Sequence, residues 1–305
     1  MVKLDYEKLR SDVDAISIAT VKELVSYIRT YLDKCGLFYK CFIRIKSGHS
    51  LCEKLRTKLP KRGDKYKLQD LVGIRIVVYF KEDISLCEKL IDQHFHVLNI
   101  SKNADDIENF GPQRINYVCA MPDEVISNFD MSIWDYPIDK SFEIQVRTIF
   151  SEGWHEIEHD FRYKCQDEWK NNTDLSRTLN GIFATLDNCD WAIASLFTQI
   201  AYRHYKSAEW IPMLKNVFKI RIEDCSDLDE ILKYFSENKE VAKKFFRLDR
   251  DEFLIKLSDL DFKMPLKMKN VIFLANLFQI HDTKIEAMTP DIIKKNVEKS
   301  MVRCN

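Results

Sequence analysis

Several things are scarce in this chain, and each scarcity removes a class of protein. Its nine cysteines stand singly among 305 residues, with no C-x-x-C pair. That argues against a zinc ribbon, a thioredoxin-type pair or a disulfide scaffold, and it fits reduced thiols in a cytoplasm. Most of the cysteines are expected to be small buried apolar residues. Glycine and proline number only 7 each, which excludes collagenous and flexible-linker compositions. No apolar run approaches the roughly 20 residues of a membrane span. The opening M-V-K-L-D-Y-E-K-L-R lacks the apolar core of a signal peptide, so a cytoplasmic protein without a membrane anchor is expected. Charge of one sign is missing too: 47 Lys and Arg face 48 Asp and Glu, for a formal net charge of −1. Global attraction to nucleic acid or an anionic membrane is therefore not implied, and only local basic patches remain. No repeat or low-complexity segment is present.

What is abundant is the material of a folded core. The chain is 46% hydrophobic and 31% charged, the balance of a helix-rich globular protein. Its length allows one large domain or two smaller ones. Residues 1 to about 40 carry an apolar stripe (Leu9, Val13, Val21, Leu24, Ile28, Leu32) that predicts one or two packing helices. F-I-R-I-K, from Phe42, alternates like a strand and runs into a helix start with Ser47 or Ser50 as cap. Arg44, Lys46, Lys54, Arg56 and Lys58 make this segment basic, and cations at a strand end and first helical turn suit phosphate. Residues 60–67 are expected to be a polar loop.

The run Ile74 to Tyr79 is rich in β-branched residues and predicts a central strand, with Asp70 before it and Arg75 within it. A carboxylate at a strand mouth near cations suits a hard metal ion. A helix follows to about Phe95, then strands at 96–102 and 115–122. At Phe142 a further strand opens, in which Phe142, Ile144 and Val146 alternate with Glu143, Gln145 and Arg147. It places a carboxylate, an amide and a guanidinium on one face, then turns into an amphipathic helix through Trp154, Ile157 and Phe161.

Read together, four motifs resemble the synthetase domain of the RelA/SpoT alarmone synthetases. They are R-x-K-x-x-x-S-x-x-x-K at Arg44–Lys54, D-L-V-G-I-R at Asp70–Arg75, E-I-Q-V-R-T at Glu143–Thr148 and W-x-x-x-E-H-x-x-x-Y-K at Trp154–Lys164. The match covers roughly residues 40 to 165. It implies an α+β fold: a nucleotidyltransferase-like mixed sheet flanked by helices. The reaction implied is Mg²⁺-dependent transfer of the β,γ-pyrophosphate of ATP to the 3′-hydroxyl of GDP or GTP. Carried over by residue, Arg44 and Arg75 would sandwich the adenine, and Lys46, Ser50 and Lys54 would hold the ATP phosphates. Asp70 would bind Mg²⁺, and Glu143 would bind it, take the proton of the attacking hydroxyl, or both. Gln145, Arg147, His159 and Asn116 would stand on the acceptor side. Only about 40 residues precede Arg44, so the resemblance is to the small, stand-alone synthetases.

The acceptor loop departs from the family. Where members carry G-Y-R/Q-S-x-H, with a tyrosine that stacks on guanine, this chain reads G-P-Q-R-I-N from Gly111 to Asn116. Pro112 cannot stack like an aromatic ring; Phe110 and Tyr117 are the aromatic residues nearby. Three outcomes stay open: a guanine nucleotide held differently, another 3′-hydroxyl such as an adenine nucleotide or a tRNA end, or nucleotide binding without turnover. His155 to His159 also satisfies H-E-x-x-H, a weak zinc-protease pattern lacking an evident third ligand. Beyond Ser176 the chain predicts an all-α C-terminal extension. The division expected is residues 1–205 for the synthetase-like domain and 206–305 for a helical module, with a homo-oligomer through the helices.

Overall fold

The computed structural model describes residues 4–63, 65–102, 115–260 and 264–303. The chain divides into two compact units, one of residues 1–29, 39–78 and 91–186, the other of residues 30–38, 79–90 and 187–305. Three helices contribute residues to both: α2 (Ile18–Lys34), α4 (Glu82–His94) and α8 (Thr173–Lys206).

The first unit is built on five strands: β1 (Tyr39–Ile45), β2 (Val72–Val78), β3 (Val97–Lys102), β4 (Ile115–Ala120) and β5 (Ser141–Thr148). Their order is β1-β2-β5-β4-β3, with β2 and β5 parallel and the other neighbours antiparallel, so the sheet is mixed. β5, whose Glu143, Gln145 and Arg147 share one face, is the central strand. Its Phe142 and Ile144 are fully buried, as are Val72 and Val78, and Ile74 and Ile76 are nearly so. The alternating residues of β2 and β5 carry the polar set to the other face, because successive strand side chains point to opposite sides.

Around the sheet lie α1 (Tyr6–Asp14), α3 (Gly48–Arg62), α5 (Asp123–Ile126), α6 (Ile149–Glu158) and α7 (Gln166–Trp169). Ser47 caps α3, its hydroxyl accepting from Ser50 N–H at 3.3 Å. The helix passes through Pro60 to Arg62, where the sequence suggested a loop. Pro60 lacks the N–H that would bond the carbonyl four residues back, and the helix ends soon after it, at the Gly63 cap. α1 packs on α3 so closely that a Cβ on Gly48 would lie 2.4 Å from Arg10 O, so only glycine fits there. After α6 one π-helical turn spans His159–Tyr163. Trp154 is buried, meets the Phe183 ring at 4.9 Å with the planes tilted by 56°, and donates from Nε1 to Leu179 O at 3.0 Å.

The second unit is helical: besides parts of α2, α4 and α8 it contains α9 (Trp210–Phe218), α10 (Asp229–Glu237), α11 (Lys239–Phe246), α12 (Arg250–Ser258), α13 (Met268–Ala275), α14 (Thr283–Met288) and α15 (Asp291–Arg303). Its core holds fully buried Phe218, Phe235, Phe245 and Phe253, in ring contacts such as Phe218–Phe253 at 5.3 Å and Phe235–Phe245 at 5.1 Å. Within that core lies an ion pair. Arg250 donates to Asp83 Oδ1 at 2.6 Å and to the carbonyls of Phe218 and Lys219, while Lys219 pairs with Glu82 at 2.5 Å. Cys35 and Cys87 are fully buried here, and burial pushes the Cys35 thiol up to about 12. No helix among the described residues is long and apolar enough to cross a membrane.

Candidate active site

Pairing register assembles the site. Phe42 on β1 lies opposite Arg75 on β2; Arg75 pairs with Gln145 on β5; Gln145 lies opposite Asn116 on β4. The next row is Arg44, Gly73 and Glu143. With Lys46, Asp70, Arg147, Glu156 and His159 they line a cleft of about 360 Å³. Gly73 leaves the middle of its row bare: a Cβ there would meet nothing nearer than Arg44 O at 4.0 Å. The backbone does not require glycine at this point, so the gap is free space over the sheet.

Asp70 is the charged centre of one end. Its Oδ2 accepts from Lys46 Nζ at 2.8 Å and from Lys54 Nζ at 2.6 Å, and its buried Oδ1 has no hydrogen-bond partner. Burial pushes the Asp70 pKa up, but the charges and hydrogen bonds of the two lysines outweigh it and hold the carboxyl below its ordinary value. Glu143 behaves oppositely. Burial, then the neighbouring Asp70 charge, raise its pKa above the ordinary value, against the lowering effect of Gln145 Nε2, which donates to it at 3.0 Å. Two carboxylates in one cleft with their pKa values pushed apart are the arrangement by which an ionised ligand and a proton acceptor are separated.

From Glu143 a chain of polar contacts crosses the cleft wall. Arg147 donates to Gln145 Oε1 at 3.1 Å and to Glu152 Oε2 at 3.0 Å. Glu152 also accepts from Arg75 Nη1 at 2.5 Å, and the same nitrogen donates to Glu156. Glu152 is placed by the first turn of α6, capped by Thr148, whose hydroxyl accepts from Ser151 N–H at 3.1 Å. His159 contacts Asp160 at 2.9 Å and stacks on Tyr163 at 5.7 Å.

The structure therefore brings Arg44, Lys46, Asp70, Arg75, Asn116, Glu143, Gln145, Arg147 and His159 to one cleft, and Lys54 joins them through Asp70. Ser50 does not line it and lies in the first turn of α3, its hydroxyl 3.1 Å from that of Ser47. Phe42, Gly73, Glu152 and Glu156 were not singled out as site residues from sequence. The alternation of F-I-R-I-K signalled Phe42, since it shares a face with Arg44. Phe110, Gly111 and Pro112 of the acceptor loop lie outside the described residues. Tyr117 is 3% exposed and pairs with Ile144, so it is a core residue and supplies no stacking surface to the cleft.

The two histidines of H-E-x-x-H do not converge. His155 is buried against Trp154 and Phe183, whereas His159 opens on the cleft. Among the described residues no group of three His, Cys, Asp or Glu is arranged to hold a metal. The unpartnered, buried Asp70 Oδ1 with Glu143 in the same cleft instead fits a hard ion such as Mg²⁺, which takes one or two carboxylates and fills its shell from water and phosphate.

Residues 43–168 match the family described as the region found in RelA / SpoT proteins. This stretch is a RelA/SpoT-type domain. Two curated Bacillus subtilis (strain 168) proteins are similar to it. GTP pyrophosphokinase YwaC is 28% identical over 131 residues, 41% of this chain and 58% of that protein. GTP pyrophosphokinase YjbM is 26% identical over 123 residues, 40% of this chain and 54% of that protein. The chain thus spans little more than half the length of these curated relatives. Among solved structures, the B. subtilis small alarmone synthetase 1 bound to its product pppGpp aligns with a TM-score of 0.45 and 20% identity, over 64% of this chain and 94% of that one. Small alarmone synthetase 2 from the same organism aligns with a TM-score of 0.43 and 24% identity, over 58% and 91%. The RelA/SpoT-type match includes all four motifs and ends just beyond the π-helical turn.

Proposed function

We propose that this protein is a Mg²⁺-dependent pyrophosphokinase that transfers the β,γ-pyrophosphate of ATP to the 3′-hydroxyl of a nucleotide, GDP or GTP first among the acceptors. The observation that carries this reading is Asp70: one oxygen gathers two lysines while the other is buried and unpartnered, with Glu143 in the same cleft. Lys46 and Lys54 bind the phosphates of ATP. Asp70 and Glu143 would hold the metal, which would supply charge neutralisation on those phosphates. Glu143, with its raised pKa, accepts the proton of the attacking hydroxyl. The 3′-oxygen bonds to the β-phosphorus, the bond from that phosphorus to the α,β-bridging oxygen breaks, and AMP leaves with the electron pair. Arg147, Gln145, Asn116 and His159 position the acceptor.

A second reading keeps the donor chemistry and changes the acceptor to an adenine nucleotide or a tRNA 3′ end. The burial of Tyr117 favours it, because it removes one of the two aromatic residues beside Pro112 that could receive a guanine. Residues 1–205 would be the catalytic domain with its flanking helices and 206–305 a helical module in a cytoplasmic protein. A homo-oligomer is supported by α8, where Leu175, Ile182, Cys189 and Leu196 recur at seven-residue spacing and are all exposed.

The test is incubation with Mg²⁺ and γ-labelled ATP, offering GDP, GTP, ADP, bulk tRNA or no acceptor. Label in a guanine nucleotide supports the first reading, and label only in tRNA or ADP the second. Product formation undiminished in both Asp70→Ala and Glu143→Ala would sink both. Gly73→Val supplies a separate check. Valine suits a strand, so thermal stability is expected to hold or rise, while ATP affinity measured by calorimetry falls about ten-fold or more as the side chain fills the cleft floor.

A further inference from the structure

We propose that Glu152, in the first turn of α6, is the positioning residue of the acceptor side and fixes which way the Gln145 amide points. This rests on the reading of Gln145 and Arg147 as acceptor-side groups and says what holds them. The Glu152 side chain is 16% exposed, and each of its oxygens takes a different arginine. Oε1 accepts from Arg75 Nη1 at 2.5 Å, and Oε2 accepts from Arg147 Nη1 at 3.0 Å. Arg147 reaches on through Nη2 to Gln145 Oε1 at 3.1 Å, and Gln145 Nε2 donates to Glu143 Oε2 at 3.0 Å.

The two ends of this chain of contacts give it a direction. A guanidinium only donates, and an ionised carboxylate only accepts. The amide between them therefore has one orientation, oxygen toward Arg147 and nitrogen toward Glu143. That occupies Glu143 Oε2 and leaves Oε1 for the hydroxyl of the acceptor. Arg147 makes this bridge only while the plane of its guanidinium is held, and Glu152 holds it from α6. The position calls for a carboxylate, because both neighbours are donors. A glutamine there offers one accepting oxygen to two guanidinium groups and turns an NH₂ against one of them. Arg75 keeps a second acceptor in Glu156 when Glu152 is changed. The loss therefore falls on the acceptor side.

The experiment separates donor from acceptor. ATP binding with Mg²⁺ and no acceptor is measured by calorimetry. The acceptor kcat/KM is measured at saturating ATP, with whichever of GDP, GTP, ADP or tRNA takes label from γ-labelled ATP. Glu152→Gln is expected to keep ATP affinity within about two-fold and to lower the acceptor kcat/KM by roughly ten- to a hundred-fold, the scale of a misplaced reacting group. Glu152→Asp, which keeps the carboxylate on a shorter arm, recovers part of it. In an Arg147→Lys background, whose compact ammonium does not span Glu152 and Gln145 as the fork does, Glu152→Gln costs little more. A parallel fall in ATP affinity would mark a merely structural role and overturn the inference. So would wild-type acceptor kinetics in Glu152→Gln, or full additivity with Arg147→Lys, and each of these leaves the transfer reaction standing. A wild-type protein that labels no acceptor would overturn both.

Discussion

Glu143→Gln is expected to lower turnover by about two to four orders of magnitude and, in the same protein, to raise the midpoint of thermal unfolding at neutral pH. The loss follows from removing the proton acceptor and a charged ligand while keeping shape, since glutamine can still accept from Gln145. The gain in stability follows from linkage. Burial first, and the Asp70 charge second, raise the Glu143 pKa in the folded protein. Between the ordinary glutamate value and this raised value the native state binds more protons than the unfolded chain, so stability falls as pH rises through that window. Above it the full cost of a buried carboxylate is present, and glutamine does not carry it. Melts of both proteins in EDTA from pH 4 to 8 should show a gap that is smallest in acid and widens upward. A Glu143→Gln protein that melts below wild type at neutral pH would show that the carboxylate stabilises the fold, contrary to this account.

The second large effect lies in the helical unit. Arg250→Met is expected to destabilise it by about 3–5 kcal/mol, the cost of leaving a buried charge without its partner. Asp83 is 0% exposed, and the guanidinium also holds the carbonyls of Phe218 and Lys219. Burial pushes the Asp83 pKa up and Arg250 pulls it part of the way back, so the substitution lets it rise further. A raised carboxylate pKa means stability lost as pH rises, so the deficit of Arg250→Met should shrink in acid and grow toward neutral pH. Adding Asp83→Leu should restore part of the loss, because two apolar residues replace an ion pair more cheaply than one lone charge survives. Urea unfolding of the single and double variants at two pH values separates these outcomes; equal deficits at both pH values would remove Asp83 from the explanation.

The strands and the site were legible in the sequence for a common reason. Alternation in F-I-R-I-K and E-I-Q-V-R-T fixes which residues share a face, and β1, β2 and β5 then place those faces in one row. Less legible were contacts between residues far apart in the chain. Glu156 was read as part of a metal motif, yet its partner is Arg75, 81 residues away. Local pattern cannot show such a pairing, nor that β5 sits in the middle of the sheet. Pro60 misled because proline is a strong local breaker, yet the helix stops only at the Gly63 cap, three residues later. Tyr117 misled because a tyrosine on a strand of mixed polarity reads equally well as core or as surface, and only the pairing of β4 with β5 assigns it to the core.

The cleft is lined by four strong cations, Arg44, Lys46, Arg75 and Arg147, against three carboxylates, Asp70, Glu143 and Glu156. Three of those cations already have a carboxylate partner, so the wall is zwitterionic and leaves few unpaired cations for a phosphate backbone. A polyanion sheds its own counterions only where protein cations neutralise its phosphates, and most of the cations here are already neutralised. Heparin or bulk nucleic acid should therefore find poor purchase on this surface, and what binds must fit between fixed pairs. The pairing thus disfavours long polyanions held by charge alone, and leaves a short phosphate chain to compete with Asp70 for Lys46 and Lys54.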